Sequence, residues 1–318
     1  MSWSILNTLD LSGTPEAVTA LEAVGELTSL AAERAPVLDA IGGADAYLAS
    51  ASVRIDGEFL ARANRLKVIG SPSTGTDHMD VELIRERDIA LFDIAREYDL
   101  INGFTATSEL AFGLLLALVR KLPAALAEAR EGIWARERFT GFQLRGKTLG
   151  VLGLGRLGAI SARIGQGFAM RVIAHDIRDV TAEGVAMVDF DTLISESDVL
   201  TIHVHLTPET DGLVGWKALA RTKPGAILLN TSRGRVVNEM ALLGALDSGH
   251  LGGAGLDMVD GEWLSADELR DHPLIAYARE HDNLLISPHI GGATTESIYG
   301  ARVFMARKLA DYIRENDT

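Results

Sequence analysis

The chain of 318 residues is long enough for two domains, and its 47% hydrophobic and 23% charged residues are typical of a globular protein. Its net charge is −14 and its basic residues are scattered, which argues against nucleic acid and anionic membranes as partners. The absence of cysteine excludes thiol catalysis, disulfides and cysteine-ligated zinc, and we predict no metal site. The first ten residues lack an export signal, so we expect a cytoplasmic protein.

Residues 1 to about 100 alternate short apolar runs with helical patterns, which predicts a parallel sheet. Strands are predicted at 46–49, 66–69 and 89–92, and helices at 57–64 and 79–87. Ser73, Thr74 and Gly75 follow the second of these strands with small side chains, where open α/β sheets meet ligands. A plain turn explains these residues equally well, and nearby His78 fits a structural histidine better than a catalyst.

Residues 93–105 show little periodicity and predict an irregular loop. A long apolar helix is predicted from 110 to 130 at most, capped by residues 107–109 and broken or kinked at Pro123. Its purely apolar part, 110–119, is too short to span a bilayer, so we expect a buried or interface helix. An irregular connector is predicted at residues 132–146.

The most informative stretch runs from 146 to 178 as strand, glycine turn, helix, strand and acid. In this turn Gly153 allows the tight bend, Gly155 lets a pyrophosphate approach the backbone, and Gly158 lets the helix pack closely. The helix N-terminus favours the anion. Asp176 then suits two ribose hydroxyls and repels a 2′-phosphate, which favours NAD over NADP, although Arg178 weakens that preference.

Strands are next predicted at 199–202, 226–229, 253–256 and 284–286, and a last helix at about 294–316. Arg233, Glu262 and His289 follow three separate strands of this second region. Each alone has a structural explanation: a helix-end contact, a solvated acid and a turn residue. Together they match the reduction of a 2-oxo acid, in which arginine binds the carboxylate, histidine transfers a proton and the carboxylate raises the histidine pKa.

The chain resembles the D-isomer-specific 2-hydroxyacid dehydrogenases over nearly its full length. The resemblance is carried by segments at 66–80, 106–122, 146–158, 203–210, 228–242, 253–262 and 287–294. It implies two Rossmann-like α/β domains with parallel sheets and an active site in the inter-domain cleft. The substrate-binding domain would comprise residues 1–100 and 291–318, and the dinucleotide-binding domain residues 101–290. It also implies a homodimer formed through the long helix near residue 110.

The resemblance further assigns site residues. The catalytic set would be Arg233, Glu262 and His289, with Asp257 contacting the nicotinamide amide. Thr74 and Gly75, together with Arg233, would bind the substrate. Besides Gly153, Gly155, Gly158 and Asp176, the cofactor would contact Arg156, Leu157, His205, Thr231, Ser232, Gly291 and Gly292.

Several residues depart from the family pattern. Trp263 and His205 stand where proline is usual, which puts the loop after Glu262 and the adenine contact in doubt. Thr74 replaces the lysine of phosphite dehydrogenases, and Ala49 the arginine of phosphoglycerate-specific members, for which Arg54 is a doubtful substitute. We therefore predict an NAD-dependent D-2-hydroxyacid dehydrogenase acting on a small 2-hydroxy or 2-oxo acid. The alternative is an NADH-sensing binding protein or co-repressor of the same fold.

Overall fold

The computed structural model describes residues 2–262 and 266–317, which divide into two compact units. The first unit contains the described residues up to Phe104 and from Thr294 onward, and the second contains those from Thr105 to Ala293.

The first unit is a parallel sheet covered by helices. Its strands are β1 (Trp3–Asn7), β2 (Gly25–Ser29), β3 (Ala46–Leu48), β4 (Val68–Gly70) and β5 (Ala90–Phe92). Its helices are α1 (Pro15–Glu22), α2 (Arg34–Ala40), α3 (Gly57–Arg62), α4 (Val81–Glu86), α5 (Tyr98–Ile101) and, at the end of the chain, α14 (Thr295–Asn316). The strand order is β2-β1-β3-β4-β5. Separate apolar clusters, one with α2, α3 and α4 and the other with α1 and α14, pack on this sheet.

The predicted strands and helices of this region are confirmed to within about two residues at each end. The prediction that residues 93–105 form an irregular loop was wrong at Tyr98–Ile101, which is helical. A single helical turn is too short to show a 3.6-residue period, and Ile101 is buried in the cluster with α14. The predicted last helix is confirmed as α14, with the Thr294 hydroxyl accepting a hydrogen bond from the Ser297 amide at 3.3 Å.

The second unit is a larger parallel sheet. Its strands are β6 (Thr148–Leu152), β7 (Arg171–His175), β8 (Val185–Met187), β9 (Val199–Ile202), β10 (Ala226–Asn230), β11 (Leu251–Leu256) and β12 (Leu284–Ile286). Its helices are α6 (Ala106–Val119), α7 (Leu122–Arg130), α8 (Arg156–Gly167), α9 (Phe190–Glu196), α10 (Trp216–Leu219), α11 (Glu239–Asp247), α12 (Ala266–Arg270) and α13 (Pro273–Glu280). The strand order β12-β11-β10-β9-β6-β7-β8 reverses direction between β6 and β9. Ligands bind open α/β sheets outside the carboxyl ends of the strands at such a switch point.

Alternating side chains of these strands face two apolar layers. Ile227 and Leu229 of β10 join the cluster that contains buried residues of α6 and α8, whereas Leu228 joins the cluster of α9 and α11. Both faces of the sheet are therefore covered, as the continuous apolar runs in the sequence predict.

The long apolar helix differs in detail from its prediction. It begins at Ala106 rather than near residue 110, because the buried Ser108 hydroxyl donates to the Leu157 carbonyl at 3.0 Å and is satisfied inside the helix. The predicted break at Pro123 is confirmed, since Lys121 adopts a left-handed conformation (φ 51°) between α6 and α7. By length and composition alone, Tyr98–Val119 is apolar enough to span a membrane (mean hydropathy 1.4). Within it, buried residues of α6 pack on the second sheet.

Candidate active site

The predicted glycine turn lies between β6 and α8, at the switch point of the second sheet. Gly153 has φ +90°, and a Cβ there would lie 2.8 Å from the His203 carbonyl oxygen. At Gly158 a Cβ would lie 2.0 Å from the Gly153 carbonyl oxygen, so the turn requires glycine at both positions. Gly155 has open space, with only the Arg178 guanidinium 3.5 Å from an added Cβ. The turn thus leaves room for a phosphate beside the N-terminus of α8.

Asp176 follows β7 beside this turn and is held by hydrogen bonds from backbone and side chain. Its Oδ2 accepts the Leu154 amide at 2.8 Å and the Arg178 Nη2 at 2.8 Å. Its Oδ1 accepts the Arg178 amide and Nε, each at 2.9 Å. These bonds, above all those from the Arg178 side chain, lower the pKa of Asp176 to about 2, so the carboxylate is ionised at neutral pH.

Other residues predicted to contact the cofactor lie around the same turn or along the sheet edge. Arg156 begins α8, and burial lowers its pKa, so a bound anion would stabilise its charge. Leu157 follows it and is half-buried. After β10, the buried Thr231 hydroxyl has no hydrogen-bond partner among the described residues, as expected of a group that meets a ligand. His205 is exposed in the loop after β9.

The turn that carries Arg233 is fixed by a residue that sequence reasoning missed. Asn230, buried at the end of β10, accepts the Ser232 amide at 3.0 Å and the Ser232 hydroxyl at 2.7 Å through Oδ1. Its Nδ2 donates to the Arg233 carbonyl at 2.8 Å. This amide closes the turn on both sides and so sets the direction in which Arg233 leaves the sheet.

Asp257 is buried at the end of β11, where its carboxylate binds the loop that carries His289. Oδ1 accepts the Ser287 hydroxyl at 2.6 Å and the Ile290 amide at 2.9 Å, and Oδ2 accepts the Gly291 amide at 2.6 Å. The His289 amide donates to the Asp257 carbonyl at 2.7 Å. His289 itself has φ 52°, a left-handed conformation that is unusual outside glycine and clusters at functional sites. Asp257 thus holds the histidine backbone in that conformation, and Ser287 is a further participant that the sequence did not reveal.

His289 and Glu262 form a direct pair, with Nδ1 of the imidazole 2.7 Å from Oε2 of the carboxylate. The histidine side chain is 40% exposed and the glutamate side chain 18% exposed. The bond to Glu262 is the main cause that raises the pKa of His289 above its ordinary value, and the charge of Asp257 adds to it. Burial and the positive charge of Arg233 oppose the rise. The three predicted catalytic residues therefore share one electrostatic site at the carboxyl edge of the second sheet.

The remaining predicted positions are Gly292, Thr74 and Gly75. Gly292 follows Gly291 in the His289 loop, with open space around it. Thr74 and Gly75 follow β4 in the first unit, where the Ser73 hydroxyl donates to the Gly75 carbonyl at 2.8 Å. Their contact with substrate stays a prediction. Trp263, a predicted departure from the family pattern, lies outside the described residues.

The second unit is a doubly wound parallel sheet. It combines a glycine turn with room for a phosphate, an aspartate placed to bind a ribose, and a histidine–carboxylate pair. These features define a dinucleotide-dependent oxidoreductase domain. The family model described as the NAD binding domain of D-isomer specific 2-hydroxyacid dehydrogenases matches residues 112–291. The chain belongs to this family and is an NAD-dependent 2-hydroxyacid dehydrogenase. The fold expected from the sequence, two α/β domains with parallel sheets, and the expected NAD cofactor are both confirmed.

Relatives with known names agree with this assignment. A glyoxylate reductase of Thermococcus litoralis is 36% identical over 292 residues, which cover 88% of this chain and 84% of the relative. A D-3-phosphoglycerate dehydrogenase of Mycobacterium leprae is 35% identical over 83% of this chain, but the match spans only 48% of that relative. The crystal structure of D-lactate dehydrogenase from Aquifex aeolicus, complexed with NAD and lactic acid, superposes with a TM-score of 0.83 at 25% identity, covering 98% of this chain and 96% of the other.

Proposed function

We propose that this protein transfers a hydride between NAD(H) and a small D-2-hydroxy acid or its 2-oxo acid. The observation that carries the proposal is the 2.7 Å hydrogen bond between His289 and Glu262 at the carboxyl edge of the second sheet. The positive charge of Arg233 acts on the same imidazole and lowers its pKa. Bound NAD supplies the hydride acceptor or donor. The protein residues supply the proton, the positive charge and the orientation.

Each residue of the site has a distinct role in this proposal. A carboxylate oxygen accepts hydrogen bonds, so with Glu262 as the acceptor His289 Nδ1 is the donor. Nε2 is then the atom that gives a proton to the forming alkoxide or takes one in reverse. Arg233 binds the substrate carboxylate and polarises the neighbouring carbonyl. Asp257 places the nicotinamide amide and, through its loop contacts, His289.

The two units take the two binding roles predicted from the resemblance. The second unit binds NAD through the glycine turn, Asp176 and the remaining predicted contacts. The first unit binds the substrate, with Thr74 and Gly75 contributing backbone amides. The predicted boundaries, 1–100 with 291–318 for the substrate-binding domain and 101–290 for the dinucleotide-binding domain, are part of this proposal.

We further propose that the substrate carries no phosphate group. The residue after β3, where phosphoglycerate-specific members would have arginine, is Ala49, which is fully buried. The nearby Arg54 is exposed. The buried methyl group of Ala49 provides no hydrogen-bond partner for a substrate phosphate. A substrate with a short uncharged side chain would be compatible with this position.

A panel of 2-oxo acids, assayed with NADH by absorbance, tests the activity, and a histidine variant tests the mechanism. We expect His289→Ala to lower kcat by about 10³-fold, in the range for loss of a general acid, with NADH affinity within a few fold of wild type. His281→Ala is the matched control, because that imidazole in the same unit stacks on Tyr277. Full turnover in His289→Ala would contradict the mechanism, and no NADH oxidation with any acid would contradict the function.

The alternative of an NADH-sensing binding protein is not favoured, since the named relatives are reductases and dehydrogenases. The cytoplasmic location stays a prediction. We also propose a homodimer, supported by an apolar surface on the second unit. In this surface α7 buries no side chain, and Leu126, Ile133 and Trp134 are 56%, 48% and 88% exposed. Exposed apolar residues grouped in this way are typical of protein interfaces.

A further inference from the structure

A half-buried glutamate and a buried histidine outside the active site hold the backbone of Asp260 from both sides. Glu239, at the start of α11, accepts the Asp260 amide through Oε1 at 2.7 Å. His272, immediately before α13, lies with Nε2 3.0 Å from the Asp260 carbonyl oxygen. The same Nε2 is 3.2 Å from Glu239 Oε2, so the two side chains also contact each other.

The hydrogen-bond roles in this arrangement follow from the acceptors. A carbonyl oxygen only accepts, so His272 Nε2 must carry the proton that it shares between Asp260 and Glu239. The histidine side chain is buried at 8% exposed, and that of Glu239 is half-buried at 19% exposed. Hydrogen-bonded side-chain networks of this kind fix a particular local geometry.

The Asp260 segment also rests on the turn that carries Arg233. A Cβ added to Gly234 would lie 2.5 Å from the Val259 carbonyl carbon and 2.6 Å from the Asp260 nitrogen. Only glycine permits this approach, so the backbone after Arg233 and the backbone before Glu262 are in direct contact. Asp260 is thereby fixed at its amide, at its carbonyl and against the neighbouring loop.

We propose that Glu239 and His272 are positioning residues, which hold the Asp260 backbone so that Glu262 reaches His289. Glu262 follows Asp260 by two residues, and two residues span at most about 7 Å, so fixing one end limits where the carboxylate lies. This inference rests on the proposed function, because it assigns the two residues a purpose only if the Glu262–His289 pair transfers protons.

Helix capping does not account for Glu239. The cap of α11 is Asn238, whose Oδ1 accepts the Ala241 amide at 2.9 Å. A surface role is excluded for His272 by its burial. What the two side chains share is the contact with Asp260, which lies in the loop that carries Glu262.

Variants at position 272 separate the lost hydrogen bond from the lost ring. His272→Gln keeps an amide N–H near the position of Nε2, whereas His272→Phe keeps a ring without a donor. Glu239→Ala removes the acceptor for the Asp260 amide. His250→Gln is the matched control, because it removes a histidine contact with the Thr222 hydroxyl (3.1 Å) just before β11, at the opposite edge of the sheet.

The pKa of His289, followed by NMR titration and assigned with His289→Gln, is the readout that a merely structural role would not move. We expect it to fall in His272→Phe and Glu239→Ala, and kcat for 2-oxo acid reduction to fall about 10-fold, with the NADH dissociation constant unchanged. His272→Gln should recover most of both losses, and His250→Gln should match wild type.

An unchanged His289 pKa and kcat in folded His272→Phe and Glu239→Ala would overturn the inference, as would equal losses in His272→Gln and His272→Phe. If circular dichroism shows that His272→Phe does not fold, Glu239→Gln replaces it. This variant keeps an acceptor for the Asp260 amide but turns an amide donor toward His272. An unchanged His289 pKa in Glu239→Gln overturns the inference. Absence of wild-type turnover would instead refute the proposed function, while the titration would still test the positioning.

Discussion

Replacing Arg178 by alanine tests how the chain discriminates between NADH and NADPH. An ionised carboxylate has about four acceptor sites, and in Asp176 four donors already occupy them: the amides of Leu154 and Arg178, and Nε and Nη2 of Arg178. Two ribose hydroxyls can bind Asp176 only if the Arg178 side chain withdraws. Arg178 therefore competes with NADH and at the same time neutralises the charge that would repel a 2′-phosphate.

The size of the effect follows from exposure. The Arg178 side chain is 60% exposed although that of Asp176 is 5% exposed, so water solvates the withdrawn guanidinium and withdrawing it costs about 1 kcal/mol. Arg178→Ala removes that cost and should tighten NADH binding about 5-fold. For NADPH the variant loses a cation and leaves Asp176 unneutralised beside the phosphate, so binding should weaken about 10-fold or more. The NADPH dissociation constant divided by that of NADH should then rise about 50-fold or more, the product of the two effects.

Quenching of protein fluorescence by NADH and NADPH measures both constants without turnover. Arg171→Ala is the control, because Arg171 forms an exposed ion pair with Glu196 at the other end of β7. Asp176→Asn should move the ratio in the opposite direction, since it removes the repulsion and keeps Arg178. Weaker NADH binding in Arg178→Ala, or a ratio equal to that of wild type, would refute the competition between Arg178 and the ribose.

Two further predictions concern the proton and the oligomer. Glu262→Gln removes the main cause that raises the pKa of His289, while burial and Arg233 still lower it. Because 2-oxo acid reduction needs the protonated imidazole, kcat should decline at lower pH in this variant than in wild type. A pH profile of kcat that coincides with wild type would contradict this. Light scattering of the wild-type protein should give twice the 34.1 kDa chain mass. Leu126→Glu should shift the mass toward the monomer, whereas Met240→Glu, at another exposed apolar side chain, should not. A wild-type monomer would contradict the proposed homodimer.

Features encoded in local sequence were predicted well. The glycine turn and Asp176 form a contiguous pattern in which each residue type has a separate steric or electrostatic reason, and the structure places them side by side. The strands of the second sheet other than β8 were visible as short apolar runs because both faces of that sheet are buried. The edge strand β8 has only half-buried and exposed residues, and it was not predicted. The break at Pro123 follows from the ring of proline alone.

Features that depend on contacts between distant segments were not predicted. In the sequence, Asn230 looks like an ordinary turn residue. Only the hydrogen bonds of its side-chain amide to Ser232 and Arg233 reveal that it fixes the turn that carries Arg233. Glu239 resembles any acid in the first turn of a helix until its contact with Asp260 is seen. Hydrophobic periodicity reports burial along one element, and it carries no information about which polar groups meet across loops.

The loops that carry Asp257 and His289 continue the hydrogen bonding of the second sheet past the ends of its strands. The Asp257 amide donates to the Asn230 carbonyl at 2.9 Å, and the His289 amide donates to the Asp257 carbonyl at 2.7 Å, so hydrogen bonds between β10, β11 and β12 continue past the strand ends. Arg233 and His289 therefore emerge from a rigid extension of the sheet. Mobile loops would have to be ordered at each turnover, at an entropic cost that this extension avoids. Glu262 lies further along the loop after β11 and has no such bond along the sheet edge to the residues that the structure describes. For this reason its placement needs the separate support of Glu239 and His272.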